Sequence, residues 1–277
     1  MKCLYGLEDL VTGEVHIDDE KVLGPSYNLI PGHEKIKLVS QEFSVLENHT
    51  VEENIFDRMI GYANDAKQKR ANKLLKLLEL ELLRSSRAKH LSTGQKQRVA
   101  IARALAIMPQ VLLLDEPFSN LDNLLSDKLF SFITEEVRKK RTAVILITHI
   151  PEEALKYADR IAIMEDGRLV HTGDKWEVYY KPKNKKQAKL LGAINALKSK
   201  DFEKGSPQKK RSSFYIRPDK IFQTTQKVCD LKLTVISCTY NGKCFEILGE
   251  SIAGTAVCVY TPKALTVGDD FFFKVAD

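Results

Sequence analysis

Leu91-Ser92-Thr93-Gly94-Gln95-Lys96-Gln97-Arg98 runs without a break into Val99-Ala100-Ile101-Ala102-Arg103-Ala104-Leu105, and Gln110-Val111-Leu112-Leu113-Leu114-Asp115-Glu116-Pro117 follows closely. This stretch decides the fold. Ser92 and Gln95 have the spacing of a capping box, in which two side chains satisfy orphan amides at a helix start. No Pro or Gly interrupts the segment that follows. The exposed amides and positive dipole end of such a start suit a phosphate group. Taken alone, the segment is a capped amphipathic helix; what comes after it changes its meaning. Val111 to Leu114 is an unalternating apolar run ending in two adjacent carboxylates. That places charge at the C-terminal edge of a parallel sheet, where open α/β folds bind ligands.

Working outward, residues 143–147 form a second apolar run, Ala-Val-Ile-Leu-Ile, closed by Thr148-His149. Both runs read as parallel strands buried on both faces and separated by helices. If the two are neighbours, His149 stands beside Glu116. Upstream, residues 13–18 alternate as a strand, and residues 35–39 form another that ends near Gln41. From Val51 to about Arg87 the apolar spacing becomes helical, most clearly over residues 73–83. Residues 160–170 have the form of a hairpin around Asp166-Gly167. Short strands are expected at 231–239, 244–248, 256–260 and 271–275, with a turn at Asn241-Gly242.

In order and spacing these segments resemble the nucleotide-binding subunit of ABC transporters. Gln41 resembles the Q-loop glutamine. Residues 91–95 resemble the signature, with Thr93 where glycine is more usual. Residues 111–116 resemble Walker B, residues 119–122 the D-loop, and His149 the switch histidine. The resemblance covers roughly residues 1–180. It implies an α/β fold of the ABC type, a P-loop-NTPase-like parallel sheet with antiparallel and helical subdomains, followed by a small all-β, OB-like domain. The division expected is 1–180 for the nucleotide-binding part, 181–212 for a basic linker and 213–277 for the β domain. Residues 190–197 and 215–221 look like the marks of a TOBE domain, found on importer ATPases for polyamines, ferric iron, sulfate, molybdate and sugars.

The site expected from these matches uses ATP and Mg²⁺. Glu116 would polarise the attacking water as a general base and His149 would contact the γ-phosphate. Asp115 and Gln41 would hold the metal, while Ser92, Thr93, Gly94, Gln95 and Asp122 would contact nucleotide. The family also implies a head-to-tail homodimer or a paired ABC subunit, with the signature of one copy completing the other's site. Transmembrane permease subunits would dock near residues 42–53, and an extracytoplasmic solute-binding protein would act indirectly. The location implied is the cytoplasmic face of the cell membrane.

Bulk properties agree with this class. The 277 residues carry 43% hydrophobic and 29% charged side chains, as ordinary globular chains do. No apolar run reaches the roughly 18 residues needed to span a bilayer. Five cysteines without a CxxC pair argue against a zinc site or disulfide framework and suggest a reducing compartment. Of the net +6, residues 181–220 hold 13 Lys/Arg against 3 Asp/Glu. Such a stretch can release phosphate counterions, but it lacks interleaved aromatic platforms and reads as a solvated, partly helical linker. No nucleic-acid partner is expected.

One element of the family is not found. A phosphate loop needs Gly-x-x-x-x-Gly-Lys-[Ser/Thr], because glycines let backbone amides wrap the phosphates. The chain's only Gly-Lys, Gly242-Lys243, precedes Cys244 and has Ser237 at the first glycine position. By resemblance, Met1 falls within the helix that the loop should open. The expectation is a truncated or fragmentary form, without Walker A, of an active transport ATPase. Two alternatives remain: an incompetent or regulatory subunit lending only its signature in trans, and a soluble ABC protein acting on nucleic acid. Retention of both Asp115 and Glu116 speaks against the first. The second lacks the paired cassettes or coiled-coil arms usual for it.

Overall fold

Strand Val111–Asp115 is the centre of the first half of the chain. Leu112, Leu113 and Leu114 are each at most 1% exposed, and burying a leucine fully is worth about 1.5–3 kcal/mol. The computed structural model describes residues 1–40, 44–210 and 213–276. The chain divides into two compact units, Met1–His149 and Ile150–Asp277. The sequence suggests a boundary at 180; by contacts, the hairpin and short helices after His149 belong to the second unit.

In the first unit a short helix α1 (Lys2–Tyr5) precedes β1 (His16–Ile17) and β2 (Glu20–Lys21), which pair antiparallel. Next come β3 (Ile36–Val39), α2 (Val51–Phe56) and α3 (Asn64–Leu77). Then follow α4 (Thr93–Leu105), β4 (Val111–Asp115), α5 (Asn123–Lys140) and β5 (Ala143–Ile147). Strands β3, β4 and β5 form a parallel sheet in that order, with Leu38 opposite Leu113 and Asp115 opposite Ile147.

Two expectations are corrected here. Residues 73–83 are not one helix: α3 stops at Leu77, Glu79 takes a left-handed φ of 54°, and Glu81–Leu83 is a separate 3₁₀ turn. Leu74, Leu75, Leu78 and Leu80 are all fully buried. Their density reflects burial of the turn on several sides and not one long amphipathic face. Strand β5 is parallel as expected but not buried on both faces; Ile145 and Ile147 are 44% and 42% exposed. Among the described residues it pairs with β4 on one side only. Apolar composition reports what a strand can bury, not whether both its edges are paired.

Helices α3, α4 and α5 are tied together at Glu136, whose side chain is 10% exposed. Arg70 Nη1 donates to Glu136 Oε2 at 2.8 Å and Lys73 Nζ to Oε1 at 3.3 Å. Arg70 Nη2 also donates to Leu105 O at 2.6 Å, at the end of α4.

The second unit begins with α6 (Pro151–Tyr157) and the antiparallel pair β6 (Arg160–Glu165) and β7 (Arg168–Asp174). Their turn places Asp166 at φ 48° and Gly167 at φ 76°, as a two-residue hairpin of right-handed strand twist requires. After α7 (Lys175–Tyr180), the stretch expected to be a basic linker contains α8 (Lys185–Leu190) and β8 (Asn195–Lys198). Lys183 Nζ donates to Val170 O and Lys186 pairs with Glu165, so two of its lysines fasten it to the hairpin.

Strand β8 pairs with β9 (Ser213–Ile216). Five further strands, β10 (Ile221–Thr224), β11 (Leu231–Tyr240), β12 (Phe245–Ser251), β13 (Ala256–Thr261) and β14 (Asp270–Val275), make an antiparallel sheet. Its order is β10-β14-β11-β12-β13, and it curls far enough for β10 to approach β13. A bulge between Val235 and Ser237 assists the bend. Leu231, Ile247, Val257 and Phe273 are fully buried inside it.

Two outcomes follow from this packing. Burial alone would raise the Glu136 pKa, but Arg70 and Lys73 outweigh it and hold the carboxyl below its ordinary value. The unfolded chain then takes up this proton first, so the contribution is present at neutral pH and lost as pH falls below about 4.3. Chemical denaturation between pH 3 and 7 should show that loss, and Glu136→Gln should flatten it. The edge of β5 that is unpaired among the described residues should drive concentration-dependent self-association. Ile145→Lys should reduce it in sedimentation velocity without lowering helix content.

Candidate functional site

The parallel pairing of β4 with β5 brings the residues just beyond each strand together. Glu116 N–H donates to Ile147 O at 2.9 Å, continuing the ladder one step past the strand. Glu116 then turns left-handed, with φ 48°, a conformation uncommon for a side chain of this size. The turn is held from several directions. Ser119 Oγ donates to Glu116 O at 3.1 Å, and Gln97 Nε2 donates to Pro117 O at 2.8 Å and reaches Glu116 O at 3.4 Å. The result directs the carboxylate toward the end of β5, where Glu116 Oε1 lies 2.9 Å from His149 Nδ1. Glu116 is 25% exposed and His149 68%. The pair combines a guided carboxylate with an imidazole open to solvent.

The second part of the site is the start of α4. Ser92 accepts from Gln95 N at 3.3 Å, and Gln95 Oε1 accepts from Ser92 N at 3.0 Å. Both halves of the expected capping box are therefore formed. Ser92 and Thr93 are exposed, so the first-turn amides, which a helix leaves without internal partners, face away from the core. Gly94 lies against Asn120: a Cβ there would sit 3.4 Å from Asn120 O. The 119–122 segment thus borders the helix start.

The remaining expected residues are placed as follows. Asp115 closes β4 and is partly exposed. Asp122 caps α5, its Oδ1 accepting from Leu125 N at 2.9 Å, so one of its oxygens already serves the fold. Gln41 lies outside the described residues. Among the described residues no group of three or more His, Cys, Asp or Glu side chains is placed to hold a metal. One carboxylate at a strand tip is still what Mg²⁺ needs when phosphate oxygens and water supply its other ligands. Asp115 fits that donor role, and the α4 start fits an anion.

Two buried polar side chains in this unit carry more than sequence reasoning gave them. Gln97 is fully buried beneath Glu116. Asn54, also fully buried, accepts from Leu46 N at 2.8 Å and from Arg103 Nη1 at 2.8 Å, linking α2 and the preceding loop to α4. The available signal was an amide embedded in an otherwise apolar helix face, which periodicity alone does not interpret.

A family model described as ABC transporter matches residues 1–119. The chain is 35% identical over 205 residues to the spermidine/putrescine import ATP-binding protein PotA of Thermotoga maritima, a match covering 73% of this chain and 55% of that protein. It is 33% identical over 240 residues to the sulfate/thiosulfate import ATP-binding protein CysA of Mesostigma viride, covering 82% and 67% respectively. Among solved structures, a dimeric ATP-binding cassette in a post-hydrolysis state bound to ADP and Pi shares 30% identity at a TM-score of 0.53. That likeness covers 61% of this chain and 76% of the solved one. The chain spans about half the length of the PotA protein it matches. The ordered motifs, the parallel sheet that joins them and these likenesses agree: the chain belongs to the ABC transporter ATP-binding family.

Proposed function

We propose that this chain acts in the ATP-binding and ATP-hydrolysing subunit of an ABC importer for a polyamine, ferric iron or a similar small solute. The observation that carries the hydrolytic part is the 2.9 Å approach of Glu116 Oε1 to His149 Nδ1 at the tips of two paired parallel strands. Glu116 takes a proton from the water that attacks the terminal phosphate, and His149 steadies that carboxylate and meets the phosphate. The exposed start of α4, with Ser92, Thr93, Gly94 and Gln95, receives the nucleotide held by a second subunit. Asp122 borders the same interface. Asp115, with Gln41, would hold Mg²⁺, which would neutralise phosphate charge.

A phosphate-wrapping glycine loop is not found in the 277 residues. Polyamine is among the proposed solutes because of the likeness to a spermidine/putrescine import protein. No helix among the described residues is long and apolar enough to cross a membrane. In this reading, association with the membrane runs through permease subunits on its cytoplasmic face, with a solute-binding protein on the far side acting through them.

Phosphate release, measured on the purified chain alone and mixed with an ABC subunit bearing an intact phosphate loop, tests this reading. In whichever preparation turns over ATP, Glu116→Gln should lower kcat by about 10²–10⁴-fold while ATP-dependent dimerisation persists in size-exclusion chromatography. Normal turnover in that variant would remove Glu116 from the base role.

A further inference from the structure

We infer that Gln97 is a positioning residue that sets the direction of the Glu116 carboxylate and mechanically ties it to the helix whose start receives nucleotide. The inference rests on the hydrolytic reading of Glu116 given above and adds to it the residue that aims the base.

Gln97 sits in the second turn of α4, five residues beyond Ser92, and none of its surface is exposed. Its neighbours along the buried face are Val99, Ala100 and Ile101, so an apolar side chain would be the ordinary occupant. The amide reaches across to the turn after β4. Nε2 donates to Pro117 O at 2.8 Å and lies 3.4 Å from Glu116 O. Its orientation is fixed by chemistry, because the reverse flip would set a carbonyl oxygen against two others. That orientation has a cost: Oε1 is buried without a hydrogen-bond partner among the described residues. An unsatisfied buried acceptor is unfavourable, and methionine or leucine would fill similar space without it. What the amide alone supplies is a donor to a left-handed turn at a non-glycine residue.

That turn decides where the carboxylate points. Rotation of Glu116 from φ 48° into the ordinary helical or extended region would swing its side chain away from the end of β5. Two other donors, Glu116 N–H to Ile147 O and Ser119 Oγ to Glu116 O, anchor the turn to β5 and to its own loop. Gln97 is the hydrogen bond that reaches it from α4. The far end of that helix is also secured: Arg103 donates to Asn54 O at 3.1 Å and Oδ1 at 2.8 Å, and to Asp57 Oδ2 at 3.1 Å. The exposed start has side-chain contacts of its own, Lys96 Nζ to Glu47 Oε1 at 3.0 Å and Arg98 Nη1 to Leu78 O at 3.0 Å, and Gln97 is the buried link between this start and the turn after β4. Displacement of the start, when a nucleotide is engaged or released, is delivered to the Glu116–Pro117 turn through the Gln97 amide. Occupancy of one site thereby alters the aim of the base serving another.

The test compares wild type, Gln97→Met, Gln97→Leu and Glu116→Ala in the full chain. The first readout needs no turnover: long-range ¹H–¹⁵N NMR of the His149 ring reports whether Nδ1 is hydrogen-bonded. In Gln97→Met and Gln97→Leu the His149 nitrogen shifts should move most of the way to those of Glu116→Ala, while the thermal unfolding midpoint stays at or above the wild-type value. The second readout applies to the preparation that turns over ATP: kcat should fall about tenfold, with KM for ATP within twofold of wild type. Unchanged His149 shifts in a folded methionine or leucine variant would overturn the inference. So would loss of cooperative unfolding in both variants, since Gln97 would then be a core residue only. If wild type shows no turnover in any mixture, the hydrolytic reading fails separately, and the NMR result still decides what Gln97 does to the Glu116–His149 pair.

Discussion

The whole site depends on one backbone hydrogen bond, Glu116 N–H to Ile147 O, made one step beyond the formal end of the β4–β5 ladder. It carries strand pairing into the loop and brings residues 33 positions apart in sequence within hydrogen-bond reach. Parallel strands make this possible because both run in the same direction, so their C-terminal tips share one edge of the sheet. An antiparallel arrangement of the same two apolar runs would have put Glu116 and His149 at opposite ends. The left-handed turn at Glu116 is the conformational cost of this arrangement, and the hydrogen bonds from Ser119 and Gln97 offset it.

Helix α4 holds the parts of the first unit together. Its start is a fully formed capping box, its second turn reaches the Glu116 turn, and its last turn is held through Arg103 and by Arg70 at Leu105 O. Most polar groups buried along it bond to main-chain carbonyls or to a single carboxylate. Such contacts fix the position of a backbone more closely than apolar packing does, because hydrogen bonds are directional. The apolar residues of α4 supply the burial energy, and its few polar ones determine which loops it positions.

The second unit stands on different physics. Its curled antiparallel sheet has one apolar face, filled by Leu231, Leu233, Ile247 and Phe273, and alternation along each strand keeps that face consistent. Arg217 is 2% exposed, donates to Tyr179 O at 3.0 Å and to Gly192 O and Ala193 O, and lies 4.1 Å from the centre of the Tyr179 ring. A planar guanidinium suits this combination of stacking and several donors. Burial pushes its pKa below the usual arginine value. The lysine-rich segment that looks like solvated linker is partly tied down by the same means, through Lys183 and Lys186.

By itself the sequence determined the element types of the parallel core, the capping box at Ser92, the hairpin turn at Asp166-Gly167 and most strands of the C-terminal sheet. Each of these is a local matter, settled by periodicity, cap spacing or residues that tolerate a positive φ. It also indicated that Glu116 and His149 belong together, because both follow apolar runs of the same kind. Only the tertiary structure decided that Ala143–Ile147 lies at an edge of the sheet among the described residues, that the leucine-rich run breaks at Glu79, and that Gln97 is aimed at the Glu116–Pro117 turn. These are properties of what packs against a segment, and composition does not record its neighbours. A buried glutamine reads the same in a sequence whether its amide is idle or holds a turn; the difference lies in which carbonyl oxygens the fold brings within about 3 Å of it.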